Sequence, residues 1–371
     1  MNQIIIKGDN SIKRLEQFLG DSKVSKVLLV HDSAFNFLPI KDQLLEMNVE
    51  CVTFSDFKPN PLYEEVCKGV EIFNREKCQA IIAVGGGSAI DVAKCIKLYS
   101  RMDNTVNYLQ QECSDSGYLL VAIPTTAGTG SESTRFAVIY YDGKKQSVAH
   151  ESIIPNCAVL EPSVLKTLPL YQKKCTMLDA LCQGIESYWS INSTDESKEY
   201  SKKAIELIME FKDEYLNDNT LESAEKIMIA ANYSGKAINI TQTTAAHAMS
   251  YKITSLYNLP HGHAVALCLP NVWRFMLNNT DRCSDKRGSK YLSDTLEQIA
   301  HLLKANSQNE AIENFEKMLN SLQMPKPQIS DLKVEIAELK SSVNPVRLKN
   351  NPVIPNENEV EFMYNNILTA I

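Results

Sequence analysis

Long apolar runs are missing from this sequence. No segment approaches the roughly 18 apolar residues that a membrane-spanning helix needs, so we expect no membrane span and no membrane partner. The one apolar run near the start consists of three isoleucines at positions 4–6, whereas a secretory signal needs a longer apolar core. We therefore expect the protein to be cytoplasmic.

The sequence also lacks a basic stripe and closely paired cysteines. Its 38 basic residues are scattered and are outnumbered by 45 acidic residues, which gives a net charge of −7. Proteins that bind nucleic acids usually concentrate basic residues on one face, so we expect no nucleic-acid partner. The ten cysteines include no CxxC pair and indicate reduced thiols rather than a disulfide framework.

The length and composition of the chain suit two folded domains. It has 371 residues, of which 44% are hydrophobic and 22% are charged, as in soluble globular proteins. In the first part, short β-branched runs at 24–32, 49–54, 79–87 and 118–126 alternate with segments of helical apolar spacing. This alternation predicts a parallel sheet that is covered by helices on both faces.

The pattern changes at about Pro162. Beyond it the apolar residues recur with the helical period of roughly 3.6 residues, and few strand patterns remain. We therefore predict an α/β dinucleotide-binding domain over residues 1–162 and an all-helical domain over residues 163–371. Within the first domain, residues 136–150 are expected to form a β-hairpin with its turn at Asp142-Gly143.

A glycine-rich segment, Gly85-Gly86-Gly87-Ser88, ends one predicted strand and opens a predicted helix. Glycines let the backbone approach a phosphate closely, and a helix N-terminus offers free N–H groups and a positive dipole. The segment matches neither the GxGxxG nor the Walker pattern, so a plain tight turn stays open as an alternative. We favour binding of a dinucleotide diphosphate.

A second polar loop covers residues 124–132, after another predicted strand. Its hydroxyl side chains, among them Thr125, Thr126 and Thr129, suit a nucleotide site, although a long surface turn is the alternative. Asp32 ends the first strand, where a carboxylate can accept from the ribose 2′-hydroxyl of NAD and repel the 2′-phosphate of NADP. Asp32 could equally cap the helix that follows.

A third group of candidates consists of Asp179, His247 and His261. Asp179 lies in an amphipathic helix that otherwise buries apolar side chains, where an unpaired carboxylate is costly. One carboxylate and two imidazoles with an open coordination position suit a catalytic Zn²⁺ or Fe²⁺. Their spacing matches no short metal-binding motif, so histidines that only complete a core remain an alternative.

From about Val24 to the C-terminal region, the sequence resembles the iron-containing (group III) alcohol dehydrogenases. The resemblance is carried, in order, by PNP at 59–61, GGGSAIDVAK at 85–94, PTTAGTGSE at 124–132, DAL at 179–181, and His247 to His261 with PHG at 260–262. It implies a Rossmann-like α/β nucleotide-binding domain followed by an all-helical domain, the dehydroquinate synthase-like fold. It also implies metal-dependent hydride transfer between NAD(P)H and a small aldehyde or primary alcohol. We expect a homodimer.

The resemblance assigns roles to individual residues by position. Gly85, Gly86, Gly87 and Ser88 would hold the cofactor diphosphate, and Thr125, Thr126 and Thr129 would line the nucleotide. Asp32 matches the acid that favours NAD(H) over NADP(H), and Asp179, His247 and His261 match the ligands of one divalent metal ion. Asp91 and Lys145 complete the candidate cofactor residues.

Two positions depart from the pattern of this family. Gln183 stands four residues after Asp179, where most iron-dependent members have a histidine. A neutral amide is a poor ligand, which leaves both Fe²⁺ and Zn²⁺ open. Tyr251 stands four residues after His247, where many members have a second histidine near the substrate. A phenol is a weaker proton shuttle at neutral pH, so His263 is a catalytic candidate beside Tyr251.

Residues 133–150, 179–194 and 235–267 are most similar to the phosphonoacetaldehyde reductase branch of the family. This similarity implies reduction of phosphonoacetaldehyde to 2-hydroxyethylphosphonate. A net-negative protein needs a local cation for such a substrate, and Arg135 and Lys252 are the candidates, although each could be an ordinary surface charge. Alternatives are lactaldehyde or propanediol, butanal or glycerol-type substrates, or a lyase reaction like that of dehydroquinate synthase.

Overall fold

The structure is a computed structural model that describes residues 3–8 and 10–369. Its backbone contacts divide the chain into two units. The first unit comprises Met1–Leu168 and Asn219–Gly235, and the second comprises Pro169–Asp218 and Lys236–Ile371. The chain therefore leaves the first unit shortly after the predicted boundary at residue 162, and it returns to that unit once.

A six-stranded parallel sheet forms the centre of the first unit. Its spatial order is β1-β8-β5-β4-β2-β3, and every neighbouring pair is parallel, as the alternation of strands and helices predicted. β4 and β5 are buried along nearly their whole length, which explains their continuous apolar sequences. The strands are β1 (Ile4–Lys7), β2 (Lys26–His31), β3 (Glu50–Phe54), β4 (Ala80–Gly85), β5 (Leu119–Pro124), β6 (Phe136–Tyr141), β7 (Lys144–Ala149) and β8 (Cys157–Leu160).

β6 and β7 form a separate antiparallel pair, which is the predicted hairpin. Asp142 and Gly143 connect the two strands with φ angles of 50° and 66°. Two successive residues with positive φ are typical of the type I′ turn, whose twist matches that of the flanking strands.

Helices cover the sheet and make up the second unit. The helix at Tyr63–Arg75, α3, shows how charge favours a helix: Glu64 and Glu65 lie in its first turn and Arg75 in its last, which complements the helix dipole. Val66 and Val70 on the same helix belong to the buried core of the first unit. In chain order the helices are α1 (Ser11–Asp21), α2 (Lys41–Leu45), α3 (Tyr63–Arg75), α4 (Gly87–Tyr99), α5 (Leu170–Trp189), α6 (Asp195–Asn217), α7 (Leu221–Thr241), α8 (Ala245–Leu256), α9 (His261–Leu277), α10 (Ser289–Leu302), α11 (Gln308–Ser321), α12 (Leu332–Ser341), α13 (Pro345–Leu348) and α14 (Glu357–Thr369).

The first unit contains local features that the sequence patterns did not indicate. Between β2 and β3, where the sequence alternation predicts a helix, only part of the segment is helical: a 3₁₀ helix at Ser33–Phe37 ends before Pro39, and α2 begins at Lys41. Proline lacks an N–H group and disfavours helix in the residue before it, so the segment is split. β1 and β8 are four residues long each, too short for an alternation pattern to show.

The second unit is helical, and no strand occurs among its described residues. This confirms the predicted change of architecture. Every residue of α5 from Met177 to Trp189 is buried, so its polar side chains lie inside the unit. No helix in the described part of the chain is long and apolar enough to cross a bilayer.

The part of α7 up to Gly235 belongs to the first unit and makes a close backbone contact there. Gly130 has a φ of 61°, and a Cβ there would lie 2.4 Å from Gly235 Cα. Asn232 Nδ2 donates to Glu132 Oε1 at 3.2 Å and to Ser133 Oγ at 2.6 Å. These contacts join residues 219–235 to the loop after β5.

Candidate nucleotide and metal sites

Three polar segments lie at the ends of neighbouring strands in the first unit. Asp32 comes directly after β2, Gly85–Ser88 begins at the end of β4, and Thr125–Thr129 follows β5. Because β2, β4 and β5 are adjacent and parallel, these segments meet at one edge of the sheet. β2 leads to β3 on one side and β4 to β5 on the other, which makes the β2–β4 gap a switch point, where open α/β sheets bind ligands.

The glycine segment at the end of β4 is closely packed at Gly85 and Gly87 and opens a helix end that can bind an anion. A Cβ on Gly85 would lie 2.6 Å from Ala89 Cβ and 2.8 Å from Asp32 Oδ2, and one on Gly87 would lie 3.2 Å from Thr129 Cγ2. Within the described residues, no side chain caps the N-terminus of α4, and its first turn carries no acidic residue. The first N–H groups of α4 can therefore receive an anion such as a diphosphate.

The loop after β5 is tied to the glycine segment. Thr125 N donates to Gly85 O at 3.0 Å, which holds the two loop starts together. Thr125 is buried, whereas Thr126, Thr129 and Ser88 are partly exposed. The three partly exposed hydroxyls are the ones of this set that a bound nucleotide can reach.

The structure shows one of the two roles that the sequence left open for Asp32. Its Oδ1 accepts from Ala34 N at 2.9 Å and so caps the 3₁₀ helix Ser33–Phe37. Its Oδ2 faces Gly85, close to the position where a Cβ of that residue would lie. One carboxylate oxygen therefore stabilises the local backbone, and the other lies at the switch point; the binding of a ribose hydroxyl by Asp32 stays a prediction.

Asp91 and Lys145, the other predicted cofactor residues, have different surroundings. Asp91 Oδ1 accepts from Ser131 Oγ at 2.7 Å and Oδ2 accepts from Val138 N at 2.9 Å, so Asp91 links α4 to β6. Lys94 Nζ donates to the same Ser131 Oγ at 3.1 Å. Burial lowers the pKa of Lys94 to about 8, against the opposing effect of the Asp91 charge. Lys145 is exposed on β7.

Asp179, His247 and His261 come together in the second unit. Their ligand atoms all lie within 4.8 Å of one another, and no other cluster of three such side chains is found in the described part of the chain. His247 Nε2 is 3.4 Å from Asp179 Oδ1. The two imidazole rings are 5.3 Å apart at an angle of 68°. The three residues that the sequence grouped as metal ligands therefore form one cluster.

The start of α9 is placed beside α5 by a glycine. Asp179 lies on α5, and His261 is the first residue of α9. A Cβ on Gly262 would lie 2.0 Å from Cys175 O and 2.7 Å from Asp179 Cβ. Only a residue without a side chain permits this approach, which brings His261 next to Asp179.

Glu186, which the sequence analysis did not single out, orients His247. His247 Nδ1 donates to Glu186 Oε2, and Glu186 Oε1 accepts from Thr244 Oγ1 at 2.7 Å and from Ala246 N at 2.9 Å. With Nδ1–H engaged by a carboxylate, the neutral form of this imidazole carries its lone pair on Nε2, which faces Asp179, as in histidines that bind metals. The available signal was that Glu186 follows Asp179 by two helical turns on the same face of an apolar helix.

Burial and nearby charges oppose each other in this cluster. Burial alone would raise the pKa of Asp179, but its interactions with His247 and His261 hold that pKa below its usual value. The pKa of Glu186 is likewise held low by His247 in spite of burial. Burial lowers the pKa of His247, but Glu186 and Asp179 outweigh it and raise that pKa to about 9. A cation that binds Nε2 must therefore displace a proton from His247.

Gln183 lies one helical turn after Asp179 and is also buried. Its side chain hydrogen-bonds the Asp179 carboxyl group, which helps to hold the Asp179 pKa down. Through this contact Gln183 supports a candidate ligand, whereas its own neutral amide remains a doubtful ligand.

Tyr251 lies against the cluster. Its ring stacks on His261 with centroids 5.7 Å apart and an interplanar angle of 14°. Its hydroxyl hydrogen-bonds the side chains of Thr243 and Arg347. Burial raises the pKa of Tyr251 despite these contacts, so the hydroxyl stays protonated at neutral pH.

His263, the other catalytic candidate, is buried. Its Nδ1 lies 3.0 Å from the Tyr171 hydroxyl. Burial lowers the pKa of His263 to about 4, so the imidazole is neutral at neutral pH. Its catalytic role stays a prediction.

The two cations that were predicted to bind substrate each contact a carboxylate. Arg135 Nη1 lies 2.9 Å from Glu151 Oε1, and Lys252 Nζ lies 2.6 Å from Glu338 Oε1. Both basic side chains are 30% exposed. Their charges are therefore partly offset by neighbours, and their roles in substrate binding stay predictions.

The buried donor atoms of the cluster suit a divalent cation. Among the described residues, Asp179 Oδ1 and His247 Nε2 are buried and have no hydrogen-bond partner. Leaving such atoms unsatisfied is costly, so a further group is expected to bind them. A carboxylate oxygen and two imidazole nitrogens are a donor set used for Zn²⁺ and Fe²⁺, with coordination positions left for a substrate.

Comparisons with known proteins agree with this geometry. A family model described as iron-containing alcohol dehydrogenase matches residues 2–162. The C-terminal model of the Fe-containing alcohol dehydrogenase family matches residues 174–368. The two matches cover most of the chain and include both candidate sites.

Individual relatives are moderately similar. Aldehyde-alcohol dehydrogenase 2 of Entamoeba histolytica is 32% identical over 281 residues, which are 70% of this chain and 32% of that protein. NAD-dependent methanol dehydrogenase of Bacillus methanolicus is 29% identical over 73% of each chain. Phosphonoacetaldehyde reductase of Streptomyces viridochromogenes is 33% identical over 60% of each chain. The matched region is thus about a third of the length of the Entamoeba protein.

Solved structures share the fold. Sulfoacetaldehyde reductase of Bifidobacterium kashiwanohense in complex with NAD⁺ has a TM-score of 0.89 at 24% identity and covers 100% of this chain and 98% of its own. An iron-containing alcohol dehydrogenase of Thermococcus thioreducens has a TM-score of 0.88 at 23% identity, covering 100% and 99%. These matches confirm the predicted fold class. With the family-model matches, they show that this chain belongs to the iron-containing alcohol dehydrogenase family.

Proposed function

We propose that this protein reduces a small aldehyde to a primary alcohol with NADH, assisted by a divalent metal ion. A hydride passes from the nicotinamide to the aldehyde carbon and a proton adds to the oxygen, so aldehyde, NADH and one proton give alcohol and NAD⁺. The observation that carries the proposal is the convergence of Asp179, His247 and His261, whose ligand atoms lie within 4.8 Å of one another.

Different side chains of the second unit would bind the metal ion, orient one of its ligands and contact the substrate. Asp179, His247 and His261 would hold the ion, either Fe²⁺ or Zn²⁺. When bound there, such an ion acts as a Lewis acid on the aldehyde oxygen. Glu186 would hold a proton on Nδ1 of His247, so that only the proton on Nε2 is displaced when the ion binds. The protonated Tyr251 hydroxyl would donate a hydrogen bond to the substrate; its ring stacking on His261 supports this role.

The first unit would bind the dinucleotide. The N–H groups at Gly85–Ser88 and the start of α4 would hold the diphosphate, and Thr125–Thr129 would line the nucleotide. Asp32 would favour NAD(H), because its carboxylate accepts from a ribose hydroxyl and repels a 2′-phosphate. Asp91 and Lys145 remain candidates for the cofactor site.

We propose phosphonoacetaldehyde as the substrate, with 2-hydroxyethylphosphonate as the product. The Streptomyces relative is named for this aldehyde, and the Bifidobacterium structural neighbour is named for sulfoacetaldehyde. Each name describes a two-carbon aldehyde with an acidic, tetrahedral head group. The methanol dehydrogenase among the relatives makes a small neutral alcohol or aldehyde the second candidate.

We further propose that the enzyme works in the cytoplasm as a homodimer. Ten free cysteines, six of them buried, suit a reducing compartment in which thiols persist. Light scattering of the purified protein measures the assembly directly, and a monomer at working concentrations would contradict the dimer.

The reaction can be tested with a substrate panel. Protein loaded anaerobically with Fe²⁺ or with Zn²⁺ is assayed with phosphonoacetaldehyde, lactaldehyde, butanal and propanal, using NADH and NADPH in turn. We expect steady NADH consumption that depends on the metal and is fastest with phosphonoacetaldehyde. If the metal-loaded protein consumed no reduced cofactor with any aldehyde, the proposal would fail. A lyase would show the same absence of net NADH consumption.

A further inference from the structure

Arg347 lies on α13, a short helix that is anchored to the helix bearing His247. Asn344 caps α13 by accepting from the N–H groups of Val346 and Arg347, each at 3.0 Å. The N–H of Asn344 donates to Ala248 O on α8 at 3.3 Å. The backbone of Arg347 is therefore held near one of the candidate metal ligands.

The side chain of Arg347 extends to Tyr251. Its Nη1 donates to Gln242 Oε1, and its guanidinium group hydrogen-bonds the Tyr251 hydroxyl. The ring of Tyr251 in turn stacks on His261. A fixed positive charge thus lies at the hydroxyl end of an aromatic ring whose face covers a candidate metal ligand.

The arrangement of Arg347, Tyr251 and His261 suits a short substrate that carries a charge at one end. In a two-carbon aldehyde, the carbonyl oxygen and the head group are separated by only a few bonds. A cation that binds the head group must therefore lie within about one side chain of the group that binds the carbonyl oxygen. Arg347 meets this condition through Tyr251, and its planar fork of N–H donors can bind two oxygens of one tetrahedral anion.

The electrostatic surroundings of Arg347 differ from those of the two cations that the sequence suggested. The described partners of Arg347, Gln242 and Tyr251, are neutral, whereas Arg135 contacts Glu151 and Lys252 contacts Glu338. These two partners hold the guanidinium group and carry no negative charge of their own. A neighbouring carboxylate, in contrast, competes with an anionic substrate.

We propose that Arg347 binds the anionic head group of the substrate and thereby sets the preference for aldehydes that carry a phosphonate or a sulfonate. Tyr251 acts beside it as a positioning residue that holds the guanidinium group next to the metal cluster. This inference rests on the proposed aldehyde reductase function. It concerns selectivity among aldehydes, whereas the reaction itself rests on Asp179, His247 and His261.

The test compares selectivity in three variants of the metal-loaded enzyme: Arg347→Gln, Arg347→Lys and Lys349→Gln. Lys349 is the matched control, because it is exposed on the same segment and its replacement removes the same charge. The measured quantity is the ratio of kcat/KM for an anionic aldehyde, phosphonoacetaldehyde or sulfoacetaldehyde, to kcat/KM for propanal, with NADH. Thermal unfolding of each variant verifies its fold.

We expect Arg347→Gln to lower this ratio roughly ten- to a hundredfold, mainly through a higher KM, because a charge-assisted contact is lost. Arg347→Lys should retain part of the preference for the anionic aldehyde, and Lys349→Gln should leave the kcat/KM ratio unchanged. Titration of 2-hydroxyethylphosphonate into the same proteins should show the same order of affinities without turnover. The two anionic aldehydes distinguish a phosphonate from a sulfonate head group.

Other outcomes separate this inference from the proposed function. If the wild type reduces no aldehyde, the proposed function fails. If it reduces propanal at least as well as the anionic aldehydes, only the head-group inference is overturned. It is also overturned if the ratio survives in Arg347→Gln, or if it falls instead in Arg135→Gln or Lys252→Gln. If Arg347→Gln does not fold, the comparison of Arg347→Lys with Lys349→Gln still decides.

Discussion

Replacing Glu186 by glutamine tests how the second unit prepares its metal site. The carboxylate of Glu186 is fully buried, and its Oε1 accepts from Thr244 Oγ1 and Ala246 N while its Oε2 accepts from His247 Nδ1. In Glu186→Gln, the amide oxygen is expected to keep the position that faces the donors at the start of α8. The amide NH₂ group then faces Nδ1 of His247.

This exchange changes which nitrogen of His247 carries the proton. An NH₂ group donates to Nδ1, so the neutral imidazole is pushed towards the tautomer with its proton on Nε2. Nε2 is the atom that lies 3.4 Å from Asp179 Oδ1, so the lone pair needed for a metal ion is lost. Loss of such a supporting carboxylate typically weakens metal binding roughly 10- to 100-fold, or about 1.4–2.7 kcal/mol.

The assay is a competition titration of Fe²⁺ or Zn²⁺ against a chelator of known affinity. Glu186→Asp keeps the charge on a shorter side chain and should give an intermediate metal affinity. Glu335→Gln is the matched control, since Glu335 accepts from Ser330 N at 2.8 Å and from the Tyr257 hydroxyl at 2.7 Å, outside the cluster. Glu335→Gln should lower stability without weakening metal binding. An unchanged metal affinity in correctly folded Glu186→Gln would refute the reasoning.

Four further changes probe other parts of the molecule. Asp179→Ala should abolish metal retention, measured by elemental analysis, together with turnover, and full activity without metal would contradict the site. Asp32→Gly should raise the ratio of NADPH to NADH activity in steady-state assays, whereas a strong NADPH preference of the wild type would contradict the role of Asp32. Gly262→Ala should lower the free energy of unfolding by about 1–3 kcal/mol in denaturant titrations and weaken metal binding, because its Cβ would lie 2.0 Å from Cys175 O. Burial lowers the pKa of Lys94 from 10.5 to about 8, so the unfolded chain holds the extra proton between these values and stability should rise with pH across this window. Lys94→Met should flatten that rise in unfolding titrations, and an unchanged slope would contradict it.

The parts of the fold that follow from local patterns could be predicted from the sequence. β4 and β5 are continuously apolar because the sheet buries both of their faces, and the Asp142-Gly143 turn has the residue types that positive φ angles require. β1 and β8 could not be recognised, because four residues show no periodicity and their pairing depends on partners that are distant in sequence. For the same reason, no local pattern indicated that residues 219–235 return to the first unit through the contact of Gly130 with Gly235.

In the candidate site, too, some residues could be identified from the sequence and others only from the tertiary structure. Asp179, His247 and His261 could be named because a carboxylate and imidazoles in apolar segments are costly without a partner. Glu186 has the same property, and its position two turns after Asp179 could have identified it. Arg347 offered no such signal, since its segment is polar and only the tertiary structure brings it to Tyr251.

The two departures from the family pattern acquire a common explanation from these contacts. Gln183, in the place of a histidine, hydrogen-bonds the Asp179 carboxyl group. Tyr251, also in the place of a histidine, stacks on His261, and its hydroxyl hydrogen-bonds Arg347. One side chain thus contacts both a candidate metal ligand and Arg347. In this proposal, the three candidate metal ligands would serve the reaction at the carbonyl group. Gln183 would support one of them, and Tyr251 would help Arg347 to recognise the head group of the substrate.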